Sequence, residues 1–274
     1  SSPAEITRKA NSNLAFALRV LPPAQRDDAV VFYAFCRQVD DIADDPGLPL
    51  DQRRNGLDAW TRGLTHGFES PAGLERAIAD LRDRLGIPNG LLLEIIDGCR
   101  ADLQPQRFAT WPDLQQYTRK VACAVGLVSI RIFGCTDPAA EDYAIALGHA
   151  LQLTNIIRDV GEDLANDGRI YLPLDDLARF DYTVAELAGH VHDERFLALM
   201  NFQADRADGL FHQAAALLPA ADRLALRPAG IMGAVYSKLL ANMRADSFRV
   251  FNHRYRLSKP RMLAILARHM LAGR

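Results

Sequence analysis

The 274-residue chain carries 32 Lys and Arg against 34 Asp and Glu, a formal net charge of −2, with 49% hydrophobic and 24% charged residues. These are ordinary globular proportions in a chain long enough to bury a substantial core. The near-balance of charge excludes broad nucleic-acid binding, which needs a net basic face, so any cationic site must be local.

Taken in chain order, almost every long segment reads as helix. Ala, Leu, Arg, Glu and Gln dominate, and apolar residues recur at three- and four-residue steps. Pro22-Pro23 opens a helix through Gln25 to Asp44, because proline suits a first turn. Pro46-Gly47-Leu48-Pro49 stops it. A second helix runs from Asp51 to Gly67, and Ser70-Pro71 is expected to cap a third. Ile87-Pro88-Asn89-Gly90 precedes a helix over Leu91 to Asp102. Trp111-Pro112-Asp113 starts one that runs unbroken to Phe133, where Gly134 ends it. Pro138 to Leu164 is another long helix, followed by the turn Asn166-Asp167-Gly168. Thr183 reads as an N-cap, and the rest is helical with Pro219, Pro228 and Pro260 as joints. The expectation is an all-α chain forming one domain over residues 1–274, with no internal repeat and no heptad run. Cys36, Cys99, Cys123 and Cys135 have no metal-binding spacing and read as reduced core residues. The opening SSPAEITRK has no apolar signal region, and no apolar run reaches the roughly 18 residues of a membrane span. The protein therefore reads as cytoplasmic, with peripheral membrane contact left open.

Two acidic segments break the pattern. In Arg37-Gln38-Val39-Asp40-Asp41-Ile42-Ala43-Asp44-Asp45, two pairs of aspartates lie four apart and so stack on helix faces. Like charges at that spacing weaken a helix by a few tenths of a kcal/mol per pair. They also fall near a helix C-terminus, where the dipole disfavours anions. The preceding Val30 to Cys36 is almost wholly apolar, which marks an interior helix; a solvated acidic helix end is the plainer alternative. The second segment runs from Gln152 to Asp163. Asn155, Asp159 and Asp163 lie four apart in register, on one face across roughly 12 Å. Arg158 and Glu162 form a second i,i+4 pair, and a local ion-pair ladder is the alternative here. Carboxylates with an amide are ligands for Mg2+, which is usually held by few protein oxygens plus substrate phosphates. Two such rows facing one another point to diphosphate departure assisted by metal ions in a dry apolar cavity.

At these residues the sequence resembles the squalene/phytoene synthase family, from about Asn11 to Lys259. The resemblance is carried by Leu21-Pro22-Pro23, by Tyr33-Ala-Phe-Cys-Arg37-Gln-Val-Asp40-Asp41-Ile-Ala-Asp44, by Asn155-Ile-Ile-Arg158-Asp159-Val-Gly-Glu162-Asp163 and by Gly168-Arg169-Ile-Tyr171-Leu172-Pro173. It implies an isoprenoid-synthase helical bundle around a central apolar cavity. It also implies head-to-head joining of two prenyl diphosphates through a cyclopropyl diphosphate. On that resemblance Asp40, Asp44, Asn155, Asp159 and Asp163 bind Mg2+, with Mn2+ as a substitute. Arg37 and Arg158 bind diphosphate, Gln152 is a polar cavity residue, and Tyr33, Tyr117 and Tyr236 line the reacting centre. Arg37 as a surface partner of Asp41, and Tyr33 or Tyr117 as ordinary core or surface residues, are the alternatives. Gly126 and Gly161 admit either close approach of substrate or plain helix crossing.

One segment departs from the family. Where it often reads His-Ser-Lys-Ser-Phe, this chain has Ala10-Asn11-Ser12-Asn13-Leu14. Asn11 and Asn13 can still donate to phosphate, Lys9 is a candidate substitute charge, and Arg254, Arg256 and Lys259 are a basic cluster able to close over a diphosphate, with a solvated basic tail as the alternative. The stretch Val121 to Gly134 looks closer to bacterial squalene-forming members, which favours two farnesyl diphosphates giving presqualene diphosphate or squalene. Phytoene from geranylgeranyl diphosphate is the second reading, and a non-catalytic helical assembly factor the third. NADPH use and oligomeric state stay open.

Overall fold

The structure, a computed structural model, describes residues 17–166 and 168–271. Every regular element among them is helical, as the composition led us to expect. A short 3-10 turn, Leu18–Val20, leads into α1 (Pro23–Asp44), α2 (Leu50–His66), α3 (Leu74–Leu85) and α4 (Asn89–Ala101). Proline stands at the N-cap or in the first turn of α1, α2 and α4, where its missing N–H costs nothing. The expected cap at Ser70 is not used. The third helix begins four residues later, after Gly73 at φ +53°, a left-handed value that glycine adopts without strain.

The helix expected to run unbroken to Phe133 is interrupted. It comprises α5 (Trp111–Thr118), a π-helical turn (Arg119–Cys123) and α6 (Ala124–Ile132). Thr110 caps α5 through a reciprocal box with Asp113. Packing accounts for the wide turn. It is pressed between two glycines, and a Cβ on Gly98 would come within 2.6 Å of Val121, one on Gly148 within 2.8 Å of Cys123 Cα.

The 27-residue α7 (Ala139–Ala165) is the hub. Beyond it lie α8 (Leu174–Arg179), α9 (Val184–Ala188), α10 (Glu194–Leu217), α11 (Arg227–Ala245) and α12 (Lys259–Leu271). Thr183 caps α9 as expected, with Glu186. α7 packs most extensively on α10 and also touches the π turn, α5, α6 and α11. A Cβ on Gly126 would lie 3.1 Å from the Ala144 carbonyl, so this glycine serves the α6–α7 crossing rather than substrate approach.

Two large apolar clusters fill the interior. One joins α1 to α4 with α6 through Phe35, Leu57, Ile78 and Leu92. The other joins α7, α10 and α11 through Leu153, Ile157, Phe196 and Leu239. Each fully buried side chain of this size contributes about 1.5–3 kcal/mol. All four cysteines are free thiols; Cys99 and Cys123 are buried, Cys36 and Cys135 half-buried. No helix among the described residues is long and apolar enough to cross a membrane.

Candidate active site

The two acidic rows sit at the C-terminal ends of α1 and α7. On α1, Tyr33, Arg37, Asp40 and Asp44 follow one another at four- and three-residue steps and share a face. Arg37 donates to Asp40 at 3.1 Å and pairs with Asp41 at 2.7 Å. The surface ion pair considered from sequence is therefore present, with both Asp40 and Asp41 about half-exposed. Asp45 leaves the row, accepting the Gly47 backbone N–H at 2.8 Å to shape the turn after α1.

On α7 the row is more enclosed. Arg158 binds its neighbour Asp159 through two nitrogens, at 2.7 and 2.5 Å. The Arg158–Glu162 pair expected from spacing does not form, because Asp159 takes the guanidinium and Glu162 takes Arg254 instead, at 3.0 Å. Gly161 explains how Arg254 arrives. Its missing Cβ would meet the Val250 carbonyl at 2.5 Å, so the backbone of residues 250–251 lies directly on α7. Gln152 accepts from Asn155 Nδ2 at 3.3 Å, while Asn155 Oδ1 is buried with no hydrogen-bond partner. Tyr236 on α11 lies beside the Arg158 guanidinium. Asn11 and Asn13, with Lys9, lie outside the described residues. Arg256 is exposed.

Asp102, not singled out from sequence, and Arg169 and Tyr171, given no site role there, join the two rows. Asp102, just past α4, accepts from the hydroxyls of Tyr117 and Tyr171, each at 2.8 Å. Arg169 donates to Asp44 at 3.0 Å and to the Asp102 carbonyl at 3.1 Å, and its own backbone N–H bonds the Asp163 carbonyl. Phe108, Tyr117 and Tyr171 form an aromatic trio with ring centroids 5.3–6.1 Å apart. Tyr117 is thus buried, not partly exposed. A cavity of about 10 Å3, lined by Asp163, Arg169 and Tyr171 among others, holds room for roughly one water. One signal for Asp102 was present in the sequence. The buried stripe of α4, through Leu92, Ile95, Ile96 and Cys99, continues three residues on to an acid.

The electrostatics register this crowding. Burial, then Asp44, raises the Asp40 carboxyl to about 6; Asp41 and Asp102 add to the rise, and Arg37 opposes it. Water reaching the half-exposed side chain screens part of that repulsion. Burial and Asp159 raise Asp163 to about 7, with Glu162 and Asp102 adding and Arg169 opposing. Burial also raises Asp102, against the two tyrosine hydroxyls and Arg169. Asp102 therefore acts on acids of both rows, so the rows share one electrostatic centre.

These features fit a divalent cation. Acids that resist ionising together and a buried amide oxygen without a donor gain from a metal ion. Among the described residues no three His, Cys, Asp or Glu side chains already converge into a metal cage. Mg2+ binds through one or two carboxylates and completes its shell with phosphate and water.

The squalene/phytoene synthase family profile matches residues 7–261. The chain belongs to the squalene/phytoene synthase family. It is similar to 15-cis-phytoene synthase of Synechocystis sp., at 35% identity over 90% of this chain and 77% of that protein. It is also similar to presqualene diphosphate synthase of Zymomonas mobilis, at 33% identity over 90% and 85%. Among solved structures, a dehydrosqualene synthase bound to a ligand superimposes with a TM-score of 0.84 at 26% identity, covering 98% of this chain and 94% of that one. A squalene synthase from Alicyclobacillus acidocaldarius gives 0.79 at 29% identity, over 90% and 93%. Members of this family are prenyltransferases that condense prenyl diphosphates head to head and use a divalent metal for ionisation.

Proposed function

We propose that this chain joins two farnesyl diphosphates head to head to give presqualene diphosphate, and squalene where a reductant is supplied. The observation that carries the reading is the meeting of the two acidic rows around Asp102 and Arg169. Asp40 and Asp44 from α1, and Asn155, Asp159 and Asp163 from α7, would hold Mg2+. When bound, that ion supplies Lewis-acid stabilisation to a departing diphosphate.

The chain's own residues do the rest. Arg37, Arg158, Arg254 and Arg256 offer planar forks to phosphate oxygens, and Arg158 and Arg254 already lie against the α7 acids. Gln152 orients Asn155. Tyr117 has its hydroxyl committed to Asp102, so what it offers a passing allylic cation is its ring face, worth about 0.5–2 kcal/mol. Tyr33 lies one turn from Arg37, and Tyr236 steadies Arg158. The aromatic trio and the apolar walls beside it exclude water that would quench the cation.

A second reading is phytoene formation from geranylgeranyl diphosphate, favoured by the identity to the Synechocystis phytoene synthase. A few cavity side chains decide chain length. The test is product analysis with each diphosphate in Mg2+, with and without NADPH. Presqualene diphosphate or squalene from farnesyl diphosphate is the expected result. Phytoene alone would transfer the assignment to the second reading, and no pyrophosphate release from any prenyl diphosphate would remove both.

A further inference from the structure

We propose that α12 docks this protein on an anionic lipid surface. Residues 247–274 hold seven of the chain's 32 Lys and Arg and none of its 34 Asp and Glu. In a chain whose net charge is −2, that is a strong local asymmetry. α12 lies within this segment and none of its residues is buried. One side, with Ile265 and Leu266, packs on Ile231 and Val235 of α11. The opposite side bears Leu263, Ala264, Ala267 and Leu271, while Met270, at its margin, lies 3.8 Å from the Arg227 guanidinium at the start of α11. Leu263 is 54% exposed, Met270 45% and Leu271 69%, half of the exposed large apolar side chains in the described chain. Arg261 and Arg268, both exposed, flank this ridge at a seven-residue interval, so they sit on one edge.

An apolar ridge bordered by arginines suits the boundary between headgroups and acyl chains: the ridge leaves water while the guanidiniums meet lipid phosphates. A nucleic acid would use the charge but leave the ridge wet. A second copy of the chain would cover the ridge but set basic segment against basic segment. Lipid alone satisfies both features. The proposal does not depend on which prenyl diphosphate is condensed.

The full chain is sedimented with vesicles of equal phosphatidylglycerol and phosphatidylcholine, and with phosphatidylcholine alone. Binding to the anionic vesicles is expected to be roughly tenfold or more tighter, and to weaken in high salt. Leu263→Asn with Leu271→Asn, and separately Arg261→Gln with Arg268→Gln, should each weaken it by roughly tenfold. Their helical circular dichroism and their pyrophosphate release without vesicles should stay unchanged. No binding of the unaltered chain to anionic vesicles overturns the proposal, as does binding by both variants as tight as that of the unaltered chain. Tighter retention of a random DNA duplex than of vesicles also overturns it. So does a dimer in solution that the leucine variant splits while vesicle binding is unchanged. Pyrophosphate release in vesicle-free buffer reads the condensation by itself, so the two readings fail separately.

Discussion

The two acidic rows use the same spacing and live in different surroundings. The α1 row is half-exposed and lightly held: Arg37 reaches back to it from its own helix, and Arg169 arrives from a loop. The α7 row is enclosed. Asp159 and Arg158 expose less than a fifth of their side chains, and Arg254 closes the end. An identical substitution should therefore act on catalysis alone in the first row and on catalysis plus folding in the second.

Four experiments test that contrast. The largest effect is on turnover: Asp40→Ala and Asp159→Ala should each cut pyrophosphate release by roughly 10^3-fold, since each removes a carboxylate that would hold the metal where charge develops on the leaving diphosphate. Unimpaired rates in either variant would remove that residue from the site. The same pair should part company in thermal unfolding. Asp159→Ala strands a largely buried arginine and should cost about 3 kcal/mol, whereas Asp40→Ala relieves repulsion and should leave the melting temperature level or higher. Equal melting shifts would contradict the proposed difference in enclosure.

Gly161→Ala probes how the α7 row is closed. The new methyl would press on the 250–251 backbone, and overpacking of this kind costs about 1–3 kcal/mol. It should also push Arg254 off Glu162 and raise KM for the diphosphate; an unchanged KM would separate Arg254 from substrate binding.

The smallest effect is on pH dependence. Asp163 at about 7 and Asp40 at about 6 lie above the usual 3.8, so the folded chain binds these protons more tightly than the unfolded one. The stability they contribute is complete below pH 3.8 and lost as pH rises through 6 and 7. In the ligand-free protein the melting advantage of Asp163→Asn over the unaltered chain should therefore grow from pH 5 to pH 8. A flat difference would show that Asp163 is not held up by its neighbours.

Much of this architecture could be read from sequence, and the reasons are local. Helix ends at Pro22-Pro23, Thr183 and Gly134 follow from residues with fixed conformational demands. The acid rows follow from a four-residue step. What could not be read depends on contacts between distant segments. Asp102 has no acidic partner at helical spacing, and its place is set by tyrosines 15 and 69 residues away. The Arg158–Glu162 pair looked right in isolation, but Arg254, 92 residues from Glu162, competes for the same acid. Ser70 lost its capping role to a left-handed glycine, since both suit a helix start and only packing chooses between them.

The wide turn at Arg119–Cys123 also constrains how this chain can change. A π-helical turn is in effect one surplus residue lodged in an α-helix. Removing one of its five residues would let ordinary winding resume and leave the helix on either side close to its present facing, because four α-helical residues turn through about the same angle as five π-helical ones. Val128 and Ile132 would keep facing the first core and Tyr117 the second. What would change is local, at the wide turn packed between Gly98 and Gly148, so this segment should accept the loss of one residue more readily than the regular helix on either side of it.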